Sequence, residues 1–329
     1  MPCYKPLTGV RDSSTGQLKQ HGDGEPIEVA CGNCLGCRLD RSRMWSARIT
    51  HEASLHELAG GNCFITLTYD DKHLPQNWSL DKKHFQDFMK RLRKATPQKI
   101  RYFHCGEYGN VCQHGIDLEN NTCQFCNVGR PHYHAILFNR KFDDLVPFGH
   151  KGDHIHYTST ELDRIWGKGL VQVGTVTPES AGYVARYCLK KINGRDQDKH
   201  YRVIDNETGE ITYLHPEYAT MSRGGACEQC GKRSCKNAPG GIGKRFLTKF
   251  KDDFYPSGET PILGSTKVIK GTPRYYDSIL QKENLELLEQ IKHDRYLFRS
   301  DNHEEFSDDR LRQKQAVKEA QIKTLKREL

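Results

Sequence analysis

RPHYHAILFN, residues 130–139, decides how the rest of the chain reads. Alternation makes it a β-strand with His132, His134, Ile136 and Phe138 on one face and Tyr133, Ala135 and Leu137 on the other. Buried imidazoles without partners are costly. Two of them at i and i+2 lie roughly 7 Å apart along a strand and can reach one divalent cation. The same spacing also suits two structural histidines, so the reading turns on what the neighbouring segments offer.

Strands flank it. NCFITLTYD (62–70) and IRYFHCGEYG (100–109) have strand patterns, and LVQVGTVT (170–177) supplies a fourth. The segment between the second and third strands is too short for a parallel crossover, so these two should pair antiparallel. That pairing would set Glu107 beside His132 and His134. Two histidines and a carboxylate leave coordination positions open for water and phosphate oxygens, which suits Mg²⁺ or Mn²⁺ acting on a phosphodiester. Gln172 on the fourth strand is the fallback ligand.

Helices separate the strands. Leu39 to about Leu58 is helical and basic. Ser79 is expected to cap a helix carrying Phe85, Phe88, Met89 and Leu92. Thr158 and Glu161 suggest a capping box for a short helix ending near Trp166. In TPESAGYVARYCLKKING, Thr177 suits an N-cap, Pro178 a first turn and Gly194 a stop. At about 100° per residue, Tyr183, Tyr187 and Lys190 share a narrow arc of that helix, while Ala181, Val184, Cys188 and Ile192 face elsewhere. A phenol titrates near ~10, and a neighbouring cation favours the phenolate. A tyrosinate can attack phosphorus and remain attached. The tyrosines alone would also suit an i, i+4 packed pair. The expected class is α+β, an antiparallel sheet with helices on one face.

Composition narrows the partners. The chain has 329 residues and a formal charge of +8. Between Met89 and Arg101 lie six basic residues and no acid. Lys90, Arg91, Arg93 and Lys94 in that run, with Lys244 and Arg245 in GIGKRFLTKFK (241–251), form basic patches that favour a polyanion partner, DNA if the chain acts on a phosphodiester; a merely solvated face is the other reading. No apolar run approaches ~18 residues, so no membrane span is expected, and the first residues lack a signal-peptide pattern. GGIGKRF resembles a phosphate-binding loop, but Ala238 and Arg245 break the pattern.

Thirteen cysteines in a chain expected to be cytosolic argue for metal rather than disulfides. Cys31, Cys34 and Cys37, with Cys3, make one zinc set. Cys112, His114, Cys123 and Cys126 make a second. Cys227, Cys230 and Cys235 make a third whose fourth ligand is open, with His215 as a guess. CxxCxxC also fits an iron–sulfur site. Cys63, Cys105 and Cys188 read as small core residues.

Four segments follow from these patterns. Residues 1–60 are an irregular Cys-rich start and a basic helix. Residues 61–200 are the strand–helix domain, with a Cys/His insert at 110–128. Residues 201–276 are a basic, Gly-rich extension with a Cys insert. Residues 277–329 are a charged helical tail, with Leu280, Leu287, Leu288 and Ile291 as an apolar stripe and a partly ordered end.

Taken together these motifs resemble a family. HYH resembles the histidine–hydrophobic–histidine motif of the HUH single-strand endonucleases, YVARYCLKK their paired-tyrosine helix and FITLTY their first strand motif. CGNCLGCRLDRSRMWSARITHEA, YFHCGEYG, RPHYHAILFN, YVARYCLKK and MSRGG…GGIG are similar, in order, to blocks of the replication initiators of gokushoviruses, single-stranded DNA phages of the microvirus group. The likeness spans roughly residues 25–250. It implies an RRM-like sheet and a nickase that starts rolling-circle replication on single-stranded or supercoiled phage origin DNA in the host bacterial cytoplasm. By position it implies His132, His134 and Glu107 as metal ligands and Tyr187 or Tyr183 as nucleophile, with Lys190 near the phosphate. It also implies a 5′-phosphotyrosine, later rejoining of the strand, and reliance on a host helicase and DNA polymerase. Two features depart from the pattern: the insert that separates Glu107 from His132 and the cysteines between MSRGG and GGIG. Other readings are a plasmid or transposon nickase of the same superfamily, or a non-catalytic zinc-containing nucleic-acid binder on an RRM-like sheet.

Overall fold

The computed structural model describes residues 3–12, 18–23, 26–151, 154–187, 196–227, 229–232, 235, 238–255 and 257–324. The chain begins with three strands, β1 (Leu7–Arg11), β2 (Leu18–Lys19) and β3 (Pro26–Val29). They form a small antiparallel sheet of order β2-β1-β3 where an irregular segment was expected. Its strands are two to five residues long and mostly exposed, so no buried alternation marked them in the sequence. Helix α1 (Leu35–Ser54) follows, then β4 (Asn62–Leu67), α2 (Lys82–Ala95), β5 (Arg101–Tyr108) and β6 (Pro131–Phe138). Next come β7 (Leu145–Lys151), β8 (His154–Ser159), α3 (Thr160–Trp166), β9 (Val171–Gly174) and α4 (Pro178–Tyr187). Beyond them lie α5 (Gln197–Tyr201), β10 (Arg202–Ile204), β11 (Ile211–Tyr213) and β12 (Tyr218–Met221). The chain continues through α6 (Lys244–Phe254), β13 (Glu259–Pro261), β14 (Val268–Lys270), α7 (Arg274–Glu283), α8 (Leu285–Asp301) and α9 (Asp308–Thr324).

The centre is a seven-stranded sheet of order β12-β5-β6-β4-β9-β8-β7. Every neighbouring pair in it is antiparallel. The α+β class therefore stands, but the expectation that helices cover one face needs correcting: they cover both. On one face Ile65, Leu67, Tyr133, Ala135 and Leu137 pack with Phe85, Phe88, Met89 and Leu92 of α2 and Leu162, Ile165 and Trp166 of α3. On the other, Phe103, Cys105, Ile136 and Phe138 pack with Ile49 and Ala53 of α1 and Ala181, Val184 and Ala185 of α4. Strand β6 shows why. Both of its alternating sets are apolar, so both faces must be covered. Small residues let α4 lie close on α1, where Ser46 Oγ donates to Pro178 O at 3.3 Å.

Local signals place the helix ends. Asp81, not Ser79, caps α2, accepting from Lys83 N at 2.7 Å. Ser159 caps α3, accepting from Leu162 N at 3.0 Å. Thr177 caps α4 as expected: its Oγ1 accepts from Ser180 N at 3.2 Å, and Ser180 Oγ accepts from Thr177 N at 2.8 Å. Gly194, the expected stop, lies outside the described residues.

Two parts of the sheet were not anticipated. The β7–β8 hairpin extends one edge. Strand β12, from the Gly-rich extension, pairs with β5 and forms the other. Helices α6, α7 and α8 share a separate core in which Leu280, Leu288 and Ile291 are buried, which is the expected stripe. From Asp308 the described part of the tail is the helix α9, through Thr324. No helix among the described residues is long and apolar enough to cross a membrane.

Candidate functional site: a histidine–carboxylate cluster beside α4

Register builds the cluster. Glu107 is paired with His132, and His134 sits between Cys105 of β5 and Thr66 of β4. Paired residues share a face, so Glu107, His132 and His134 converge. Glu107 Oε1 lies 2.6 Å from His132 Nε2 and 3.2 Å from His134 Nε2. The two imidazoles stand edge to face, 4.9 Å between centroids. Ligand atoms of the three residues all lie within 4.8 Å of one another. The far ring nitrogens are held as well. Thr66 Oγ1 is 2.9 Å from His134 Nδ1, and Arg130 O is 3.2 Å from His132 Nδ1. This pattern presents both Nε2 atoms inward, as metal-binding histidines require. Glu107 is 2% exposed. Burial pushes its carboxyl up, but hydrogen bonds from His132 and His134 outweigh that and hold it at about 2. An ionised carboxylate with two inward imidazoles is a donor set that suits a hard or borderline divalent cation.

The insert after Glu107 does not spoil the register, because it leaves from the hairpin tip. Gly109 N donates to Arg130 O at 2.9 Å and Gly129 N to Gly109 O at 3.1 Å, so the ladder runs on past β5 and β6. A Cβ on Gly129 would meet Gly109 O at 2.3 Å, so glycine is needed at that crossing. Gln172, the fallback ligand, is level with Thr66 on β9 and lines the same cavity as His134.

Helix α4 borders the cluster. The Tyr183 ring stands edge-on to His134 with centroids 5.3 Å apart and to Phe64 at 6.2 Å. Tyr187 is the last residue of α4, one turn further on, and its side chain lies outside what the structure describes. Lys190 and Cys188 lie outside the described residues. A cavity of about 430 Å³ opens beside the cluster. His134, Thr66 and Gln172 line it from the sheet, Tyr183 from α4, and His150 and His156 from the β7–β8 hairpin. Sequence alternation did not single out that hairpin, because its residues are exposed and of mixed polarity.

The cysteine sets assemble. Cys3, Cys31, Cys34 and Cys37 form one group and Cys112, His114, Cys123 and Cys126 another, each with ligand atoms within 4.8 Å. Backbone N–H groups of Tyr4, Cys31 and Cys34 point at sulfurs of the first group, each at 3.3 Å. Burial pushes the Cys34 thiol up, but backbone N–H groups of Cys37 and Tyr4 bring it down to about 6. Burial raises the thiols of Cys3 and Cys37 in the same group, so what fits zinc is the gathering of four soft donors at one point. Cys227, Cys230 and Cys235 also converge. His215 is not with them: its Nδ1 lies 3.0 Å from Leu80 O, across the sheet edge, so the guess of a fourth ligand there is corrected. Cys63 and Cys105 are buried in the core as expected.

The expected DNA contacts divide. Arg91 donates to Ile165 O and Trp166 O at 2.7 and 3.0 Å, so it ties α2 to the end of α3. Lys90 pairs with Asp87 at 2.9 Å. Lys244 Nζ donates to Ala238 O at 3.1 Å. Lys94 is exposed, and Arg93 and Arg245 are exposed along one groove. The loop GGIGKRF is no phosphate cradle: Glu52 Oε2 accepts from Gly243 N at 2.8 Å at the start of α6. Glu52 also holds Arg101 at 2.7 Å. Sequence reasoning passed over Glu52, Thr66 and the Arg130 carbonyl. A single acid or hydroxyl inside a regular element carries no periodic signal.

Comparison with known proteins follows the same lines. Residues 62–192, which span β4 to just beyond α4, match the family described as Replication-associated protein ORF2/G2P. The Replication-associated protein ORF2 of Spiroplasma virus 4 is 30% identical over 310 residues, covering 86% of this chain and 81% of that protein. The Replication-associated protein VP4 of Bdellovibrio phage phiMH2K is 30% identical over 302 residues, covering 87% and 79%. No solved structure matches the chain. Likeness at that level over about four-fifths or more of each chain means that the chain belongs to the replication-associated protein family of ORF2/G2P type.

Proposed function

We propose that the chain initiates phage replication as an HUH-type nickase: it cuts one strand of origin DNA by tyrosine attack and later rejoins it. The observation that carries this reading is the convergence of Glu107, His132 and His134 next to Tyr183 at an open cavity. Packing alone does not require a buried carboxylate between two inward imidazoles. Mg²⁺ or Mn²⁺ held by these three residues would supply Lewis-acid polarisation of the scissile phosphate. Thr66 and Arg130 O keep the two rings oriented. The nucleophile is Tyr187 or Tyr183. Its phenol loses its proton, its oxygen bonds to phosphorus and the P–O3′ bond breaks, and the leaving oxygen gains a proton. The product is a 5′-phosphotyrosine and a free 3′-hydroxyl for a host polymerase. Attack by a 3′-hydroxyl on the phosphotyrosine reverses the exchange and closes the strand, so no ATP is needed. Unwinding is left to a host helicase in the bacterial cytoplasm. We assign zinc to the two four-ligand sets, and to the three-cysteine set with a ligand still to be named.

The test incubates the purified chain with single-stranded phage-origin oligonucleotide and Mn²⁺ and looks for a covalent adduct on a denaturing gel. His132→Ala with His134→Ala should abolish it while leaving DNA binding, and Tyr187→Phe should lose most of it. Equal adduct from Tyr187→Phe and wild type would reassign the first nucleophile to Tyr183. No adduct with any divalent ion would sink the nickase reading. A non-catalytic binder is less favoured, because base stacking calls for no buried carboxylate between two imidazoles beside Tyr183.

A further inference from the structure

We infer that the chain has a second strand-binding site: a basic groove, on the side of the sheet away from the histidine cluster, that holds single-stranded DNA. It rests on the proposed function only in taking the same polymer as ligand. The groove has a volume of about 1090 Å³. Its floor includes Tyr102 of β5 and Tyr218 and Thr220 of β12. Tyr102 alternates with Arg101, Phe103 and Glu107, so it points to the face opposite His132 and His134. Pairing of Thr220 with His104 puts Thr220 and Tyr218 on that same opposite face. The groove then turns round the start of β5 towards α6. From Arg101 to Glu107 is six strand residues, about 20 Å, so it is a separate site rather than a lobe of the cavity beside α4.

Its chemistry is one-sided. Lys82, Arg93, Lys99, Arg223, Arg245 and Lys249 line it, from α2, from the turn before β5, from the segment after β12 and from α6. Among the described residues no Asp or Glu lines it. The one deeper cation, Arg101, is already matched by Glu52 at 2.7 Å. Lys82, Arg93, Arg223, Arg245 and Lys249, with no acid among the lining residues, concentrate positive charge along the groove and favour a polyanion there. The aromatic rings choose the form of polyanion. Arg93 lies over the Tyr102 ring at 5.7 Å and Lys82 over the Tyr218 ring at 4.8 Å. Half-buried rings beside cations are stacking platforms for unpaired bases. A duplex keeps its bases paired inside and could use only the cations.

The fold builds the groove from two sequence blocks that the cleavage chemistry leaves unused. Gly224 of MSRGG packs on Gly240 of GGIG so closely that a Cβ would meet Gly240 O at 2.2 Å. Arg101 Nη2 donates to the same carbonyl at 2.8 Å. This contact brings Arg223 and Arg245 to one rim. The loop bearing Cys227, Cys230 and Cys235 leaves from that rim, so a metal pinning it would also fix the groove wall.

The experiment measures binding of the full chain to labelled oligo-dT and to a blunt duplex over a range of salt, without divalent ions. Arg93→Gln, Arg223→Gln and Arg245→Gln are combined, since all three are exposed and should leave folding intact. A control carries Lys282→Gln, Lys292→Gln and Arg312→Gln, the same charge change elsewhere. Each lost phosphate contact lowers the slope of log K against log salt by about 0.7 for single strands, so the groove variant should lose about 2. The control should keep the wild-type slope. Tyr102→Leu should weaken oligo-dT binding about fivefold or more with an unchanged slope. An unchanged slope in the groove variant, an equal fall in the control, or a fall seen with duplex alone would overturn the inference. A wild-type chain that forms no adduct with origin DNA but shows the groove-dependent slope supports the groove and removes only the nickase reading.

Discussion

Replacing Thr66 by valine tests the metal-site reasoning with one oxygen atom. Thr66 Oγ1 lies 2.9 Å from His134 Nδ1, and the side chain is buried on β4. When Nε2 of His134 serves as a metal ligand, its one proton is on Nδ1, and Thr66 must accept it. Valine keeps the shape and sets a methyl group against that N–H. A buried donor left unpaired costs about 1–3 kcal/mol, and the ring loses what fixes its orientation. Loss of such a partner behind a liganding histidine lowers metal affinity by about 10–100-fold, or about 1.4–2.8 kcal/mol. The assay is adduct formation in a single turnover as a function of Mn²⁺ concentration, with circular dichroism as the check on folding. Thr66→Val should raise the half-saturating Mn²⁺ by that factor and recover at high Mn²⁺. Thr66→Ser, which keeps the hydroxyl, should stay near wild type. A valine variant whose Mn²⁺ midpoint stays within about twofold of wild type, or a serine variant as impaired as valine, would refute the orienting role.

Three further outcomes follow from the same structure. Glu52→Ala strands the Arg101 guanidinium and the Gly243 N–H in the interior, so urea unfolding should show a loss of about 3–5 kcal/mol; a loss below about 1 kcal/mol would show that this buried network is solvated. His51 is fully buried between Phe246 and Tyr276, and burial lowers its pKa to about 4 despite its bond to Pro261 O. The unfolded chain takes up that proton below about 6.5 and the folded chain does not until about 4. Stability is thus full above that window and falls as pH drops through it, by at most about 1.4 kcal/mol per pH unit; His51→Leu should be less stable at pH 7 but flatter between pH 6.5 and 5. Elemental analysis should find two or three zinc ions per chain, and Cys112→Ser should lose one and open residues 110–128 to protease; iron in place of zinc would redirect the cysteine assignment.

The strand pattern of RPHYHAILFN was legible because alternation is a property of neighbouring residues, and so were the helix carrying Phe85 and Leu92 and the stripe of Leu280, Leu288 and Ile291. Pairing of Glu107 with His132 could be argued in advance, since a hairpin is the short solution for adjacent strands. The cysteine sets were read from CxxC spacing and are assembled in the fold. Other features could not be read this way. Apolar residues on both sides of β6 needed two layers of helix, and sequence alone did not show that α1 would cover the face shared with α4.

By itself the sequence determined the strands at the centre of the sheet, β4, β5, β6 and β9, which helices are amphipathic, and which residue types are available for chemistry, because these depend on order along the chain. Only the tertiary structure decided that Thr66 stands behind His134, that Glu52 rather than a phosphate occupies the start of α6, and that Arg93, Arg223 and Arg245 line one groove. Those relations join residues far apart in sequence, and they exist only once β12 has paired with β5 and the helices have closed both faces of the sheet.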